Sequence, residues 1–365
     1  MAQDWTQIYS DWLMNSALPL WATKGVDVAQ GGFEELMAQD GEPISAPRRA
    51  RVQGRQSFVF AYAGSLGWTG PWRDVAEVGL NYLERYYKRP DGLYATLAGP
   101  TGDIIDQTAM TYDQAFAILA AAALYEHGLG PGENYALGLM GRIAVMRRHS
   151  AGGFIEPGPQ FLSNPQMHLF EAALAWVVAG GQRSWRALAR EIAALAMASF
   201  IDREHGVLLE QFDATWFPAP GEAGNRVEPG HLFEWSWLLE RWARLDDCNA
   251  AHDVASMLFE TARRSVDPER NVAVDETDRH LEQRRSTARL WPQTERLKAA
   301  LLLGHESEAR AAAASLWQYL HTPCTGLWWD KMRDDGAFVE EAAPASSLYH
   351  IICAVASLKE YGVLR

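Results

Sequence analysis

Twelve stretches of helical apolar periodicity follow one another along this chain, and the connections between them alternate long and short without exception. The periodicity predicts helices over residues 3–23, 48–66, 72–87, 109–126, from the Gly128–Pro131 turn to about 148, 164–179, 184–200, 231–245, 249–265, 285–303, 306–320 and 345–360. Turn residues mark the short connections, as at Gly67–Pro71, Gly180–Gly181 and Gly304. Each long connection holds a turn residue followed by an apolar one, at Phe33, Leu93, Phe154, Val207, Val272 and Leu327. Their spacing of about 60 residues describes six degenerate repeats of helix, short turn, helix and long loop. Six helical hairpins that close on themselves make an all-α (α/α)6 barrel with alternate helices inside, expected here as one domain over residues 1–365. An open solenoid is the competing architecture, but its repeats are usually more regular in length. The short extended segments of the long loops are expected to pair as small hairpins.

Composition narrows the partners. A formal charge of −13 argues against nucleic acid or an anionic membrane as a partner. The three cysteines (Cys248, Cys324 and Cys353) are scattered, with neither a disulfide framework nor a zinc-binding spacing. No stretch approaches the roughly 18 apolar residues of a membrane span, and no basic-then-apolar leader opens the chain, so a cytoplasmic protein is expected. Fifteen tryptophans suit ring-shaped ligands such as sugars, and equally suit helix packing.

The unusual polar residues fall on the helices that follow long loops. These are Arg51 and Arg55, Asp113, His168, His231 and Glu234, Trp291 and Glu295, and His350. Each has a purely structural reading: Asp113 as a helix-start residue, Arg51 as a solvated charge, His168 as a packed core histidine. The stretch from Arg226 to Glu240 is the most telling. Pro229 and Gly230 break what precedes, and a His and a Glu three residues apart then share one face of an otherwise apolar, aromatic helix. Placing that pair in an interior costs solvation that only partners or a task offset. In a closed ring of hairpins all these residues would come to one end of a cavity.

The segments Arg51-Val-Gln-Gly-Arg-Gln-Ser-Phe, Asn164-Pro-Gln-Met-His-Leu-Phe-Glu, Glu228-Pro-Gly-His-Leu-Phe-Glu-Trp-Ser-Trp, Arg289-Leu-Trp-Pro-Gln-Thr-Glu and Ser346-Ser-Leu-Tyr-His-Ile resemble, in order, the N-acylglucosamine 2-epimerase superfamily. That group includes cellobiose 2-epimerases, mannose isomerases and sulfoquinovose isomerases, and its fold is an (α/α)6 barrel. The resemblance implies that His231 and His350 are the acid/base pair, that Arg55 holds the O1/O2 side of the sugar, and that His168, Glu234, Trp237, Trp291 and Glu295 line the pocket. It gives no role to Arg51 or Asp113, which join the substrate-binding set on their placement.

The residue types suit the chemistry. Moving a proton from C2 of an aldose needs a base, the developing enediolate needs a donor, and histidine titrates near the working pH. Glu234 is expected to balance His231 near neutrality against the helix N-terminus. The wording of the His231 and Trp291 segments looks most like mannose isomerases, so the expectation is interconversion of D-mannose and D-fructose with no cofactor or metal. A 2-epimerase and a sulfoquinovose or 6-phosphosugar isomerase are the near alternatives, the last through Arg48, Arg49 and Arg226. Further off stand a metal-dependent isomerase using His231 and Glu234, an inverting glycosidase using Glu234 and Glu295, and a non-catalytic sugar-binding protein.

Overall fold

The computed structural model describes residues 4–158 and 160–362, and thirteen α-helices lie among them. The first two, α1 (Trp5–Trp12) and α2 (Leu18–Thr23), run on through a π-helical turn, Leu13–Ala17, so twelve helical rods match the twelve predicted. The rest are α3 (Ala50–Ser65), α4 (Trp72–Tyr82), α5 (Thr111–Tyr125), α6 (Glu133–Arg147), α7 (Ser163–Val178), α8 (Arg183–Leu195), α9 (Pro229–Asp246), α10 (Asn249–Arg263), α11 (Leu290–Leu302), α12 (Glu306–Tyr319) and α13 (Ser346–Tyr361). None of them is long and apolar enough to cross a membrane.

Among the boundaries that differ from the sequence reading, two have a plain cause. The helix expected from 285 starts at Leu290, because Gln283–Arg285 and Ala288–Arg289 are taken into strand pairs. Pro229 opens α9 rather than breaking ahead of it, since the first helical position needs no backbone N–H and suits proline's fixed φ.

Burial separates the rods into two kinds. In α5, 13 of 15 residues are buried, against 3 of 15 in α6; in α11 it is 12 of 13, against 6 of 14 in α12. The rod after each long loop is therefore an inner helix, and its partner across the short turn is far less buried. The chain forms two compact units. In the first, built mainly on Ala193–Ala343 together with α1 and the chain from His350 on, α9 packs on α10 and α11, and α11 on α12. The chain's two ends meet here: the Thr6 hydroxyl donates to the Leu358 and Gly362 carbonyls. In the second, built on Ala17–Ile192 with Pro344–Tyr349, α3 packs on α4 and α5, and α5 on α6 and α7. Gly54 makes the α3–α5 approach possible, since a Cβ there would meet the Phe116 backbone at 2.8 Å.

The long loops hold short β pairs, as expected. Val26–Asp27 pairs with Gly32–Phe33, Ile201–Asp202 with Val207–Leu208, and Val266–Asp267 with Val272–Ala273. Single bridges join Lys88 to Tyr94, Arg148 to Phe154 and Thr325 to Leu327. All six signature residues (Phe33, Leu93, Phe154, Val207, Val272 and Leu327) are buried. A glutamine at the fourth position of four inner helices ties the hairpin down by its backbone. Gln53 clamps Phe33, Gln114 clamps Tyr94, Gln166 clamps Phe154 and Gln293 clamps Ala273, each through both the N–H and the C=O. This is how the loops satisfy their buried backbone. The same position is Leu232 in α9 and Tyr349 in α13.

Candidate active site

The first unit gathers six of the predicted residues: His231, Glu234, Trp237, Trp291, Glu295 and His350. His231 is the third residue of α9, and its ring lies 5.1 Å from that of Trp291 at the start of α11. Gly230 permits this approach, because a Cβ there would stand 2.4 Å from the indole. The same indole is 5.8 Å from the ring of His350 on α13, so one tryptophan borders both histidines. Both histidines are buried.

Each histidine has its Nδ1 committed to a carboxylate. His231 Nδ1 is 3.0 Å from Glu210 Oε1, and His350 Nδ1 is 2.9 Å from Glu295 Oε1. An ionised carboxylate only accepts, so both Nδ1 atoms carry the proton, and any transfer to or from a substrate would go through Nε2. Glu234, Glu295 and His350 bring one side-chain ligand atom each within 4.8 Å of one another.

The charges around the two rings differ. Burial alone would lower the His231 pKa, but Glu210, with Glu228 and Glu234 behind it, overrides burial and pushes it up to about 9. The expected balance near neutrality is thus corrected: the bonded partner is Glu210 from the preceding loop rather than Glu234, and three carboxylates outweigh burial and the helix N-terminus. Around His350, the Glu295 carboxylate also takes the Lys298 ammonium at 2.6 Å, both side chains fully buried. Burial would raise the Glu295 pKa, yet the Lys298 charge and the His350 hydrogen bond hold it below its ordinary value. The Lys298 Nζ also sits 3.9 Å from the Trp237 ring centroid, a cation–π contact.

The second unit holds the other four. Asp113 is buried and accepts from Arg51 (3.0 Å) and the Thr96 hydroxyl (2.7 Å). Burial raises its pKa although Arg51 opposes that. Arg55 is buried with its guanidinium 4.2 Å from the Phe116 centroid and 5.1 Å from that of Tyr349, and Nη2 donates to the Tyr112 hydroxyl at 2.9 Å. No carboxylate among the described residues lies within ion-pair distance of it. His168 packs on Tyr112 and Phe116, and its Nδ1 is 3.3 Å from Glu171, which also accepts from the Tyr349 hydroxyl.

A family model described as N-acylglucosamine 2-epimerase (GlcNAc 2-epimerase) matches residues 31–354. The chain belongs to the N-acylglucosamine 2-epimerase family. The resemblance carried by the inner-helix motifs is therefore borne out, and the chain is an enzyme of epimerase or isomerase type. A Rhizobium meliloti (strain 1021) protein of the name mannose-6-phosphate isomerase is 47% identical over 372 residues, covering 96% of this chain and 95% of that one. The crystal structure of a D-mannose isomerase superposes with a TM-score of 0.88 at 20% identity, covering 97% of each chain. Cellobiose 2-epimerase from Bacillus thermoamylovorans B4167 gives a TM-score of 0.84 at 16% identity, covering 97% of this chain and 99% of that one. At these identities the structural likeness shows the fold, which is the predicted (α/α)6 barrel of twelve helices.

Two site neighbours escape a reading by helix periodicity, Glu210 and Lys298. Glu210 had a signal. A carboxylate stands two residues after the hairpin strand in several repeats. Glu35 accepts from the Arg49 backbone N–H, Glu156 from those of Thr111 and Tyr112, and Asp275 from that of Arg289. Glu210 holds the same place after Leu208 and takes an imidazole instead of a helix start. Lys298 was visible as a lysine one turn from Glu295 on a helix that buries nearly every residue.

Proposed function

We propose that the protein interconverts D-mannose and D-fructose by metal-independent proton transfer through a cis-enediol(ate), with His231 and His350 as the acid/base pair. The observation that carries this reading is the pair of buried histidines bordering one indole, each with Nδ1 held by a carboxylate. His350, whose carboxylate is shared with a lysine, acts as the base, and His231, whose surrounding carboxylates favour the protonated ring, acts as the donor. In the open-chain aldose, His350 Nε2 removes the C2 proton while His231 Nε2–H protonates O1. His231 then takes the O2 proton, and His350, its captured proton having exchanged with water, delivers one to C1, giving the ketose with both rings restored. General acid–base catalysis of this kind supplies roughly 10²–10⁴-fold. The substrate-binding role suggested for Arg55 has separate support in that guanidinium's lack of a carboxylate partner among the described residues.

Metal independence rests on what already sits on the carboxylates. Lys298 is on Glu295, and Arg226 and Arg289 are both on Glu228. Cations in those positions oppose binding of another. The name of the Rhizobium relative favours a second reading, in which the sugar carries a 6-phosphate. Against it, the arginines suggested for such a group are engaged: Arg48 with Asp27 and Glu34, Arg49 with Glu35, and Arg226 with Glu228 and Glu276.

The test is incubation of exhaustively chelated protein with D-mannose and, separately, D-mannose 6-phosphate, with products identified by NMR. Fructose from mannose is expected. Turnover of the phosphate alone would move the substrate to the second reading, and fructose that forms only after Mn²⁺, Co²⁺ or Zn²⁺ is added would overturn metal independence.

A pH profile follows from the donor. His231 must be protonated to act, so kcat/KM is expected to fall as pH rises through about 9. The same raised pKa gives stability that is complete below the ordinary value of 6.5 and lost as pH climbs through about 9. A His231→Asn variant should lose that portion of the stability–pH curve; an unchanged curve would contradict the assignment.

A further inference from the structure

Lys298 is a fully buried lysine, 0% exposed, on the inner helix α11. A buried ion pair is a weak source of stability, because desolvating both partners offsets much of their attraction. Its position therefore calls for another account. Its ammonium is 2.6 Å from Glu295 Oε2, while the other oxygen of the same carboxylate is 2.9 Å from His350 Nδ1. One carboxylate is thus shared between an ammonium and an imidazole.

A carboxylate on Nδ1 does two things to a histidine. It fixes the tautomer, leaving the Nε2 lone pair outward, and it favours the charged ring, which has no lone pair to use. A base needs the first effect without the second. The groups that face His350 include Glu295 and the Trp291 ring from α11 and Glu234 from α9, with Cys353 three residues further along α13 itself. Two carboxylates beside one imidazole would drive it towards the cation, as carboxylates do at His231. The ammonium cancels one of them and leaves its hydrogen bond in place. Trp237 holds Lys298 from the other side through its ring face, so the lysine is placed and not merely present.

We propose that Lys298 is a positioning residue for His350: by neutralising Glu295, it lets that carboxylate orient the imidazole while leaving the ring uncharged and able to take a proton. The inference rests on the reading of His350 as the base. It assigns Lys298 no contact with the sugar.

The experiment is titration of the His350 ring by NMR in isotopically labelled protein, with the signal assigned by its loss in His350→Asn, alongside the pH dependence of kcat/KM. In Lys298→Met the His350 midpoint is expected to rise by about 1 pH unit or more, the range for loss of one nearby charge. The acid-side limb of kcat/KM should move up with it. Activity near neutrality would then fall roughly tenfold for each unit, with recovery at higher pH. Lys298→Arg keeps the charge and should leave the midpoint near wild type. A purely structural lysine would lower activity at all pH values and leave the His350 midpoint where it was, and that result overturns the proposal. If Lys298→Met does not fold, Glu295→Gln removes the charge from the other side; it should lower the midpoint, and an unmoved midpoint again overturns the proposal. Movement of the midpoint without movement of the limb would leave the Lys298 coupling standing and remove His350 as the base.

Discussion

His350→Asn and His231→Asn are each expected to lower turnover by at least about 100-fold, the lower range for loss of a general acid or base. Asparagine keeps a polar side chain of similar reach and removes the titrating ring. Both variants should fold, because the histidines' bonds run to Glu295 and Glu210 and the apolar packing of α9 and α13 does not depend on the ring. The measurement is kcat at substrate saturation, with circular dichroism to confirm the fold. Near-normal turnover in either variant would remove that histidine from the mechanism. A raised KM with kcat unchanged would make it a binding group instead.

Gln53→Leu is expected to cost about 2–6 kcal/mol of stability with little loss of kcat in the folded protein. Its side chain accepts from the Phe33 N–H at 2.8 Å and donates to the Phe33 C=O at 2.9 Å, all of it buried. Leucine has similar bulk, so the change leaves two backbone groups unpaired without opening a large cavity, and each unpaired group costs about 1–3 kcal/mol. A urea unfolding midpoint measures the loss. An unshifted midpoint would mean the hairpins are held by their apolar residues alone, and the glutamine positions would lose their significance.

Those glutamines also show where sequence reading stops. The helices and the six buried loop residues were legible because each is a local signal: apolar period 3.6, or a turn residue before an apolar one. The glutamine clamp recurs at the fourth position of α3, α5, α7 and α11, but its partner lies up to 20 residues upstream, beyond any helical period. The two inner helices without it, α9 and α13, are the ones that carry His231 and His350. The departure from the repeat therefore coincides with the two proposed acid/base residues.

The partner of His231 was misread for a related reason. Glu234 is three residues away on the same helix and looks like the natural neighbour, yet the bond goes to Glu210, 21 residues earlier, in a loop whose repeat position elsewhere supports a helix start. Periodicity ranks neighbours along one helix and says nothing about a loop folded over its end. The candidate residues all lie on inner helices, as their spacing implied. Their sorting into a histidine–carboxylate group on one unit and an arginine–aromatic group on the other needed coordinates.

The central claim is that the proton moves by way of an enediol(ate) and returns at C1. Incubation of the protein with D-mannose in D₂O, followed by NMR of the sugars, tests it most directly. The account predicts D-fructose with deuterium at C1. Glucose labelled at C2 would make the protein a 2-epimerase, and fructose formed with no solvent deuterium at C1 would contradict proton transfer by exchangeable histidines.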